Sequence, residues 1–118
     1  MMKLSLLLLS FITILAASEY DKGKDLYYQK GCNNCHGSEA EGSSYYPRLA
    51  NKKESYLIKK LENFQKGIAK SQKAEIMFTF AKGLQKKEIE NIAIFLSQYK
   101  KEESDKYQIS DDLLGGSN

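Results

Sequence analysis

The residues best suited to do chemistry lie in one short motif, two cysteines separated by two residues and followed directly by a histidine. Cys32, Cys35 and His36 form this motif. Two thiols at this spacing can each add to one vinyl group of a haem, and the next residue then offers an imidazole to the iron. The motif therefore predicts one covalently attached c-type haem per chain.

Other uses of the same three side chains stay open. In an oxidising compartment the two thiols could form a disulfide, or they could act in a thiol–disulfide oxidoreductase of the thioredoxin type. The latter needs a βαβ pattern around the motif, whereas the surrounding sequence has helix signals. A structural zinc site usually has four ligands, and these residues supply three. We therefore favour haem attachment and keep thiol chemistry as an alternative.

A second iron ligand follows from elimination. His36 is the only histidine of the chain, so a haem with two histidine ligands from this chain is excluded. Beyond the first two residues, Met77 is the only methionine, and it lies in an apolar segment that we expect to be a loop. A methionine opposite a histidine is typical of electron-transfer cytochromes and raises the reduction potential. We expect Met77 to be the distal ligand; core packing of Met77, ligation by Lys73 or Lys82, and an open iron are the alternatives.

The first 18 residues have the layout of a secretory signal peptide. A positive start at Lys3 precedes a mainly apolar run over residues 4–17, and Ala16, Ala17 and Ser18 provide the small residues of a cleavage site. A retained membrane anchor is the alternative, but a run of 14 residues is short of the about 20 that span a bilayer. We expect a leader over residues 1–18, a periplasmic domain over 19–100 and a polar tail over 101–118.

Charge is unevenly distributed along the 118 residues, whose formal net charge is +3. Residues 52–87 contain ten lysines and three glutamates, whereas residues 88–118 contain seven acids and three lysines. Such a separation predicts a positive face that attracts acidic partners. Nucleic acid is not an expected partner, because an exported chain without a basic motif has no reason to bind it. The candidate docking lysines lie on both sides of Met77 and are Lys66, Lys70, Lys73, Lys82, Lys86 and Lys87.

The apolar pattern predicts an all-α fold. We expect a first helix over residues 21–30. A second helix should have Asn51 as its N-cap, with the Glu54 side chain bonding in return to the backbone N–H of the cap. A short apolar segment follows over residues 74–83, and a last helix covers residues 86–99. The stripe of the second helix consists of Tyr56, Leu57, Leu61, Phe64 and Ile68, and that of the last helix of Ile89, Ile92, Ala93, Leu96 and Tyr99.

With these residues in hand, the chain resembles the small monohaem class I cytochromes c of bacterial periplasms. The resemblance spans about Lys22 to Lys100 and depends chiefly on the cysteine–histidine motif. It implies the cytochrome c fold, in which about four helices wrap around one covalently attached haem. The residues that carry it are Gly23, Tyr27, Cys32, Cys35, His36, Gly37, the segment 46–49, Tyr56, Leu57, Met77 and the segment 89–95.

The resemblance also implies roles for single residues. The Pro47 carbonyl should accept a hydrogen bond from the ligand histidine, and Phe95 should pack against Gly23 and Tyr27. Arg48 is a candidate contact for a haem propionate, with a surface arginine as the alternative. Two positions depart from the family: Asn51 stands where glycine is common, and the last helix begins near Gln85 rather than at a serine, threonine or aspartate.

By the same resemblance the protein is a periplasmic electron carrier and not an enzyme. Its expected partners are redox proteins such as a quinol–cytochrome c reductase, a terminal oxidase or a cytochrome c peroxidase. No stable membrane insertion is expected once the leader is removed. A haem subunit of a larger redox complex is the first alternative, and a haem peroxidase or gas-binding protein with Met77 off the iron is the second.

Overall fold

The computed structural model describes residues 17–102, and this part of the chain is helical without strands. The predicted leader and tail lie almost entirely outside the described residues. The expected all-α class is confirmed. Residues 17–102 contain five α-helices, two of them very short, where about four helices were expected. The helices are α1 (Glu19–Gln29), α2 (Asn33–His36), α3 (Glu54–Gln65), a 3₁₀ helix (Gln72–Ile76), α4 (Met77–Ala81) and α5 (Lys86–Ser97).

The first and last long helices cross at very close range. A Cβ atom on Gly23 of α1 would lie 1.9 Å from the backbone oxygen of Asn91 in α5, so only glycine fits here. Phe95 of α5 is 1% exposed, and its ring centroid lies 5.5 Å from that of Tyr27 in α1. The expected packing of Phe95 against Gly23 and Tyr27 is confirmed.

The core lies along α5, as its apolar stripe predicts. The stripe residues of this helix are buried up to Leu96, and Tyr99 packs on the edge of the same cluster. The helix is capped at the expected position, because the Gln85 N–H donates to Glu88 Oε1 at 2.9 Å. This glutamate satisfies a backbone donor at the start of the helix, as the third residue of a capping box does.

Asn51 does not cap α3, so that prediction is wrong. The residue before the helix is Lys53, which forms no side-chain cap. Asn51 instead has a left-handed φ of 61°, a conformation that asparagine and glycine tolerate best. Its side-chain amide donates to the Tyr99 carbonyl at 2.9 Å and its N–H to the Leu96 carbonyl at 2.7 Å. Asn51 therefore ties the loop before α3 to the end of α5.

The apolar stripe of α3 is buried less than the pattern suggests. Leu57 is buried, whereas Tyr56 is 50% exposed. Ile68 lies beyond the end of the helix at Gln65 and is also half exposed. The extension of the stripe to Ile68 was wrong because the chain leaves helical geometry before that residue.

The segment that carries Met77 is helical, so the expected loop is wrong. Ser71 opens the 3₁₀ helix by accepting a hydrogen bond from the Ala74 N–H at 3.3 Å. Met77 is the first residue of α4. The end of α4 is held by the Gln65 side-chain amide, which donates to the carbonyls of Ala81 at 3.0 Å and Leu84 at 2.7 Å.

None of the helices within residues 17–102 has the length and apolar character needed to cross a membrane.

Candidate haem site

Cys32 lies directly before the short helix α2, and Cys35 lies within it. Cys32 is the residue before α2, and its N–H donates to the Tyr27 carbonyl at 3.1 Å, so the motif follows α1 directly. Both thiols are free and half-buried. Burial raises the pKa of the Cys32 thiol, because an apolar environment disfavours the thiolate. Cys32 packs against the core, so a group attached to it would lie at the core's edge.

The imidazole of His36 is buried and held on one side. It is 7% exposed, and its Nδ1 lies 2.9 Å from the carbonyl oxygen of Pro47. A carbonyl can only accept, so this contact requires a proton on Nδ1. The other ring nitrogen, Nε2, is then unprotonated in the neutral ring and is the one able to bind a metal. This is the contact that the resemblance implies for His36 and Pro47.

The loop between α2 and α3 brings Pro47 to the histidine. The Gly42 N–H donates to the His36 carbonyl at 2.8 Å, which folds the loop back on the motif. A Cβ atom on Gly42 would lie 2.5 Å from the Arg48 nitrogen and 2.6 Å from the Pro47 carbonyl carbon, so the loop closes only around a glycine. The geometry at Pro47 thus depends on the backbone of the loop.

Two tyrosines make contacts that support this loop and the motif. The Tyr27 hydroxyl donates to the Gly37 carbonyl at 2.6 Å, which links the buried end of α1 to the residue after His36. The Tyr46 ring lies 6.3 Å from the His36 ring, measured between centroids. The neighbouring Cys35 thiol raises the pKa of the Tyr46 hydroxyl. Sequence reasoning singled out Tyr27 only for its packing and missed both of these contacts.

The distal candidates lie in the 3₁₀ helix and in α4. Met77 is half-buried at the junction of the two. Lys73 is engaged by another side chain, because its Nζ lies 3.4 Å from the centroid of the Tyr45 ring. Lys82 follows the last residue of α4 and is exposed. Among these candidates Met77 alone combines partial burial with a side chain that carries no charge.

Arg48 lies at the surface. Its side chain is exposed, and its Nε donates to the Ala50 carbonyl at 3.3 Å. This bond fixes the start of the guanidinium group and leaves its two terminal amino groups for other contacts.

The donor set fits a c-type haem better than a metal ion alone. Within residues 17–102 no group of three or more histidine, cysteine, aspartate or glutamate side chains is arranged to hold a metal ion. Two clefts, of about 290 Å³ beside α1 and α5 and about 360 Å³ beside α3, are lined by other residues. The residues present are two free thiols, one directly before and one within the short helix α2, and a buried imidazole with one nitrogen fixed, which are the groups that covalent haem attachment requires.

Comparison with known proteins identifies the family. Residues 20–100 match the family model of cytochrome c. Cytochrome c-552 of Acidithiobacillus ferridurans is 32% identical over 66 residues, which cover 56% of this chain and 27% of that protein. The chain thus aligns with about a quarter of the length of this curated relative. The match to residues 20–100 covers most of the chain, and the protein belongs to the cytochrome c family, which implies covalently attached haem c with its iron and an all-α fold.

Proposed function

We propose that this protein is a periplasmic electron carrier with His/Met ligation of its haem iron. Cys32 and Cys35 would hold the haem as thioethers, His36 would be the proximal ligand and Met77 the distal one. The observation that carries the proposal is the buried His36 imidazole directly after the two thiols, with Nδ1 2.9 Å from the Pro47 carbonyl oxygen. The haem supplies the one-electron chemistry, and the chain orients and shields it.

The contact with Pro47 defines what His36 can do. The Nδ1 proton held by the Pro47 carbonyl sets the tautomer and the orientation of the ring. The hydrogen bond also makes the imidazole a better donor through Nε2. Because Gly42 closes the loop around Pro47, the backbone of this loop positions the carbonyl that orients His36.

Met77 completes the proposed ligand pair. The chain has no second histidine, and Lys73 is engaged with the Tyr45 ring. His36 and Met77 as two protein ligands would leave no iron position for a substrate, which favours electron transfer over peroxidase or gas-binding chemistry. A thioether ligand favours the reduced state and therefore a relatively high potential.

Intact mass after denaturation tests the attachment. Protein exported from a host with cytochrome c maturation should keep the mass of one haem after unfolding, and its cysteines should not react with an alkylating reagent. The double variant Cys32→Ser/Cys35→Ser should lose the haem on unfolding. A wild-type chain of bare peptide mass with two alkylated cysteines would instead support the thiol–disulfide oxidoreductase.

The proposed docking face consists of Lys66, Lys70, Lys73, Lys82 and Lys86, which are all exposed. Lys87, which we included on sequence grounds, is less suited to this role. Its Nζ lies 2.7 Å from Glu19 Oε1 and 3.8 Å from Glu90 Oε2, so its charge is partly neutralised at the α1–α5 contact. Positive charge around the Met77 segment would speed encounter with acidic redox proteins.

Charge reversal tests the docking face. We expect Lys70→Glu/Lys82→Glu to slow reduction or oxidation by an acidic redox partner at low salt and to flatten the dependence of the rate on ionic strength. Lys22→Glu on α1 makes a single charge reversal outside the proposed face and should change the rate less. The like-for-like comparison is Lys70→Glu alone or Lys82→Glu alone against Lys22→Glu. Equal changes of the rate in these single variants would argue against a localised face.

The compartment and partners belong to the same proposal. Residues 1–18 have a secretory layout, and the proposed donors and acceptors are a quinol–cytochrome c reductase and a terminal oxidase or cytochrome c peroxidase. A free carrier should be released from cells with the periplasmic fraction. Recovery only in a membrane complex would favour the alternative of a haem subunit.

Arg48 remains a proposed propionate contact. A guanidinium group near a propionate neutralises its negative charge and so disfavours the more positive, oxidised haem, and Arg48→Gln should therefore lower the potential slightly. Arg48→Lys keeps the charge and should restore most of the difference.

A further inference from the structure

We propose that Tyr45 and Lys73 form a clasp that holds the Met77 segment against the loop that orients His36. Both are positioning residues, and neither is a ligand. The inference depends on the proposed ligation by Met77, and its test separates the two. It starts from a contact between two exposed side chains that lie far apart in the sequence.

The contact itself is a cation–π interaction. The Nζ atom of Lys73 lies 3.4 Å from the centroid of the Tyr45 ring, well within the roughly 6 Å at which such a contact is attractive. The ring face is electron-rich, so it attracts the ammonium group without neutralising it. Lys73 can therefore belong to the docking face and to the clasp at once.

The tyrosine is fixed to the histidine side of the site. The N–H groups of Tyr45 and Tyr46 both donate to Ser43 Oγ, at 3.1 and 3.2 Å. The two tyrosine rings meet edge to face with centroids 4.8 Å apart. The Tyr46 ring in turn lies 6.3 Å from the His36 ring and is followed directly by Pro47. Tyr45 is therefore a fixed extension of the structure that orients His36.

The lysine is fixed to the methionine side. Lys73 lies inside the 3₁₀ helix Gln72–Ile76, whose last residue precedes Met77. This helix has no buried residue, and Ile76 is 63% exposed. Few apolar contacts thus hold the start of the Met77 segment in place. A single interaction at Lys73 can therefore contribute a large share of the free energy that holds it.

The chain contains a matched control for this pair. Lys60 and Tyr56 form a second cation–π contact, with Nζ 5.7 Å from the ring centroid. Both residues belong to α3 and are four positions apart, so their contact joins one helix to itself. Substitution of Tyr56 removes an exposed tyrosine ring and its contact with a lysine. It leaves the contact between Tyr45 and the Met77 segment unchanged.

Competition by imidazole tests the clasp. Imidazole added to the oxidised haem protein binds iron only when the distal protein ligand is released, so its apparent affinity reports how firmly Met77 is held. We expect Tyr45→Leu and Lys73→Gln each to bind imidazole about two- to five-fold more tightly, the equivalent of one exposed cation–π contact. Tyr45→Phe and Lys73→Arg keep the ring and the charge and should restore wild-type affinity. Tyr56→Leu should bind imidazole as the wild type does.

The outcomes distinguish the two claims. Wild type that lacks the near-infrared band of a thioether–iron bond would overturn the proposed ligation and the clasp with it. If the wild type has that band but Tyr45→Leu and Lys73→Gln bind imidazole no more tightly than Tyr56→Leu does, the clasp alone is overturned. Because Lys73→Gln changes only an exposed side chain, its result decides the matter even if Tyr45→Leu fails to fold.

Discussion

Two regions of the molecule hold their residues in place by different means. The helix-pair core is formed by α1 and α5, where buried apolar side chains meet at a backbone separation that only Gly23 allows. The site loops, which we define as residues 31–51 and 66–85 together with the short helices within them, carry the proposed ligands and bury few large side chains. Their positions depend on single hydrogen bonds, such as the one between His36 Nδ1 and the Pro47 carbonyl, and on the contact between Lys73 and Tyr45.

This difference separates stability from ligand geometry. Burial in the helix-pair core contributes free energy that is lost in proportion to the volume removed. A hydrogen bond in the site loops contributes about 1 kcal/mol, but it sets where a ligand atom lies. Changes in the helix-pair core should therefore lower the free energy of unfolding most, whereas changes in the site loops should act mainly on the spectrum and ligand exchange.

The largest loss of stability is expected from Phe95→Ala. Phe95 is 1% exposed and touches both Tyr20 and Tyr27 with its ring, so removing the ring should lower the free energy of unfolding by about 3–5 kcal/mol. Guanidinium unfolding followed by circular dichroism measures this. The matched change Tyr56→Ala on the exposed side of α3 should cost about 0.5 kcal/mol or less. Similar losses of unfolding free energy in the two variants would show that the buried Phe95 ring contributes no more stability than an exposed ring.

Gly23→Ala should be the next most damaging change. The added methyl group would lie 1.9 Å from the Asn91 carbonyl oxygen, and forcing the two helices apart should cost about 1–3 kcal/mol. Gly83→Ala is the control, because nothing lies within 4 Å of a Cβ atom there. A Gly23 variant as stable as the Gly83 variant would mean that the helices do not approach this closely.

Asn51 tests the junction between the two regions. Asn51→Ala loses the hydrogen bond to the Tyr99 carbonyl and must still adopt a φ of 61°, so it should cost about 2 kcal/mol. Asn51→Gly loses only the hydrogen bond and should cost about 1 kcal/mol. Thermal unfolding of both variants gives the comparison. An alanine variant at least as stable as the glycine variant would exclude the left-handed conformation.

Tyr27→Phe should have a small effect that grows smaller at high pH. The variant loses the hydrogen bond to the Gly37 carbonyl, which should cost about 1 kcal/mol at neutral pH. Burial raises the pKa of Tyr27 well above its ordinary value, so the folded state keeps a proton that the unfolded state loses. Stability from this group is therefore complete below about pH 10 and falls by up to about 1.4 kcal/mol per pH unit above it.

Unfolding across the alkaline range tests the sign of this effect. The wild type should lose stability more steeply than Tyr27→Phe as the pH rises beyond the ordinary tyrosine pKa. Parallel curves for the two proteins would show that the Tyr27 hydroxyl titrates normally in the folded state.

Sequence patterns were most informative in the helix-pair core. The spacing of Ile89, Ile92 and Leu96 defined a buried face, because a helix that packs on a core must repeat apolar residues on one side. The close approach at Gly23 followed from the family resemblance. The buried face is a property of a regular helix, in which neighbours in the sequence determine neighbours in space, whereas the approach of two helices at Gly23 is not.

Patterns were least informative in the site loops. Asn51 has the residue type of a helix cap, but its backbone is left-handed and its side chain bonds to the distant Tyr99 carbonyl. Met77 was expected in a loop because the apolar run around it is too short to show helical spacing. The contact of Lys73 with Tyr45 joins exposed residues of remote segments, and no local pattern predicts such a pair.

The central claim is that the Met77 sulfur and the His36 imidazole hold the metal from opposite sides. It is tested most directly by the near-infrared spectrum of the oxidised, exported protein, recorded for the wild type and for Met77→Leu. We expect the weak band of a thioether–iron bond in the wild type and its loss in Met77→Leu, which keeps the side-chain volume. A wild type without this band, or a Met77→Leu variant that retains it, would contradict the account.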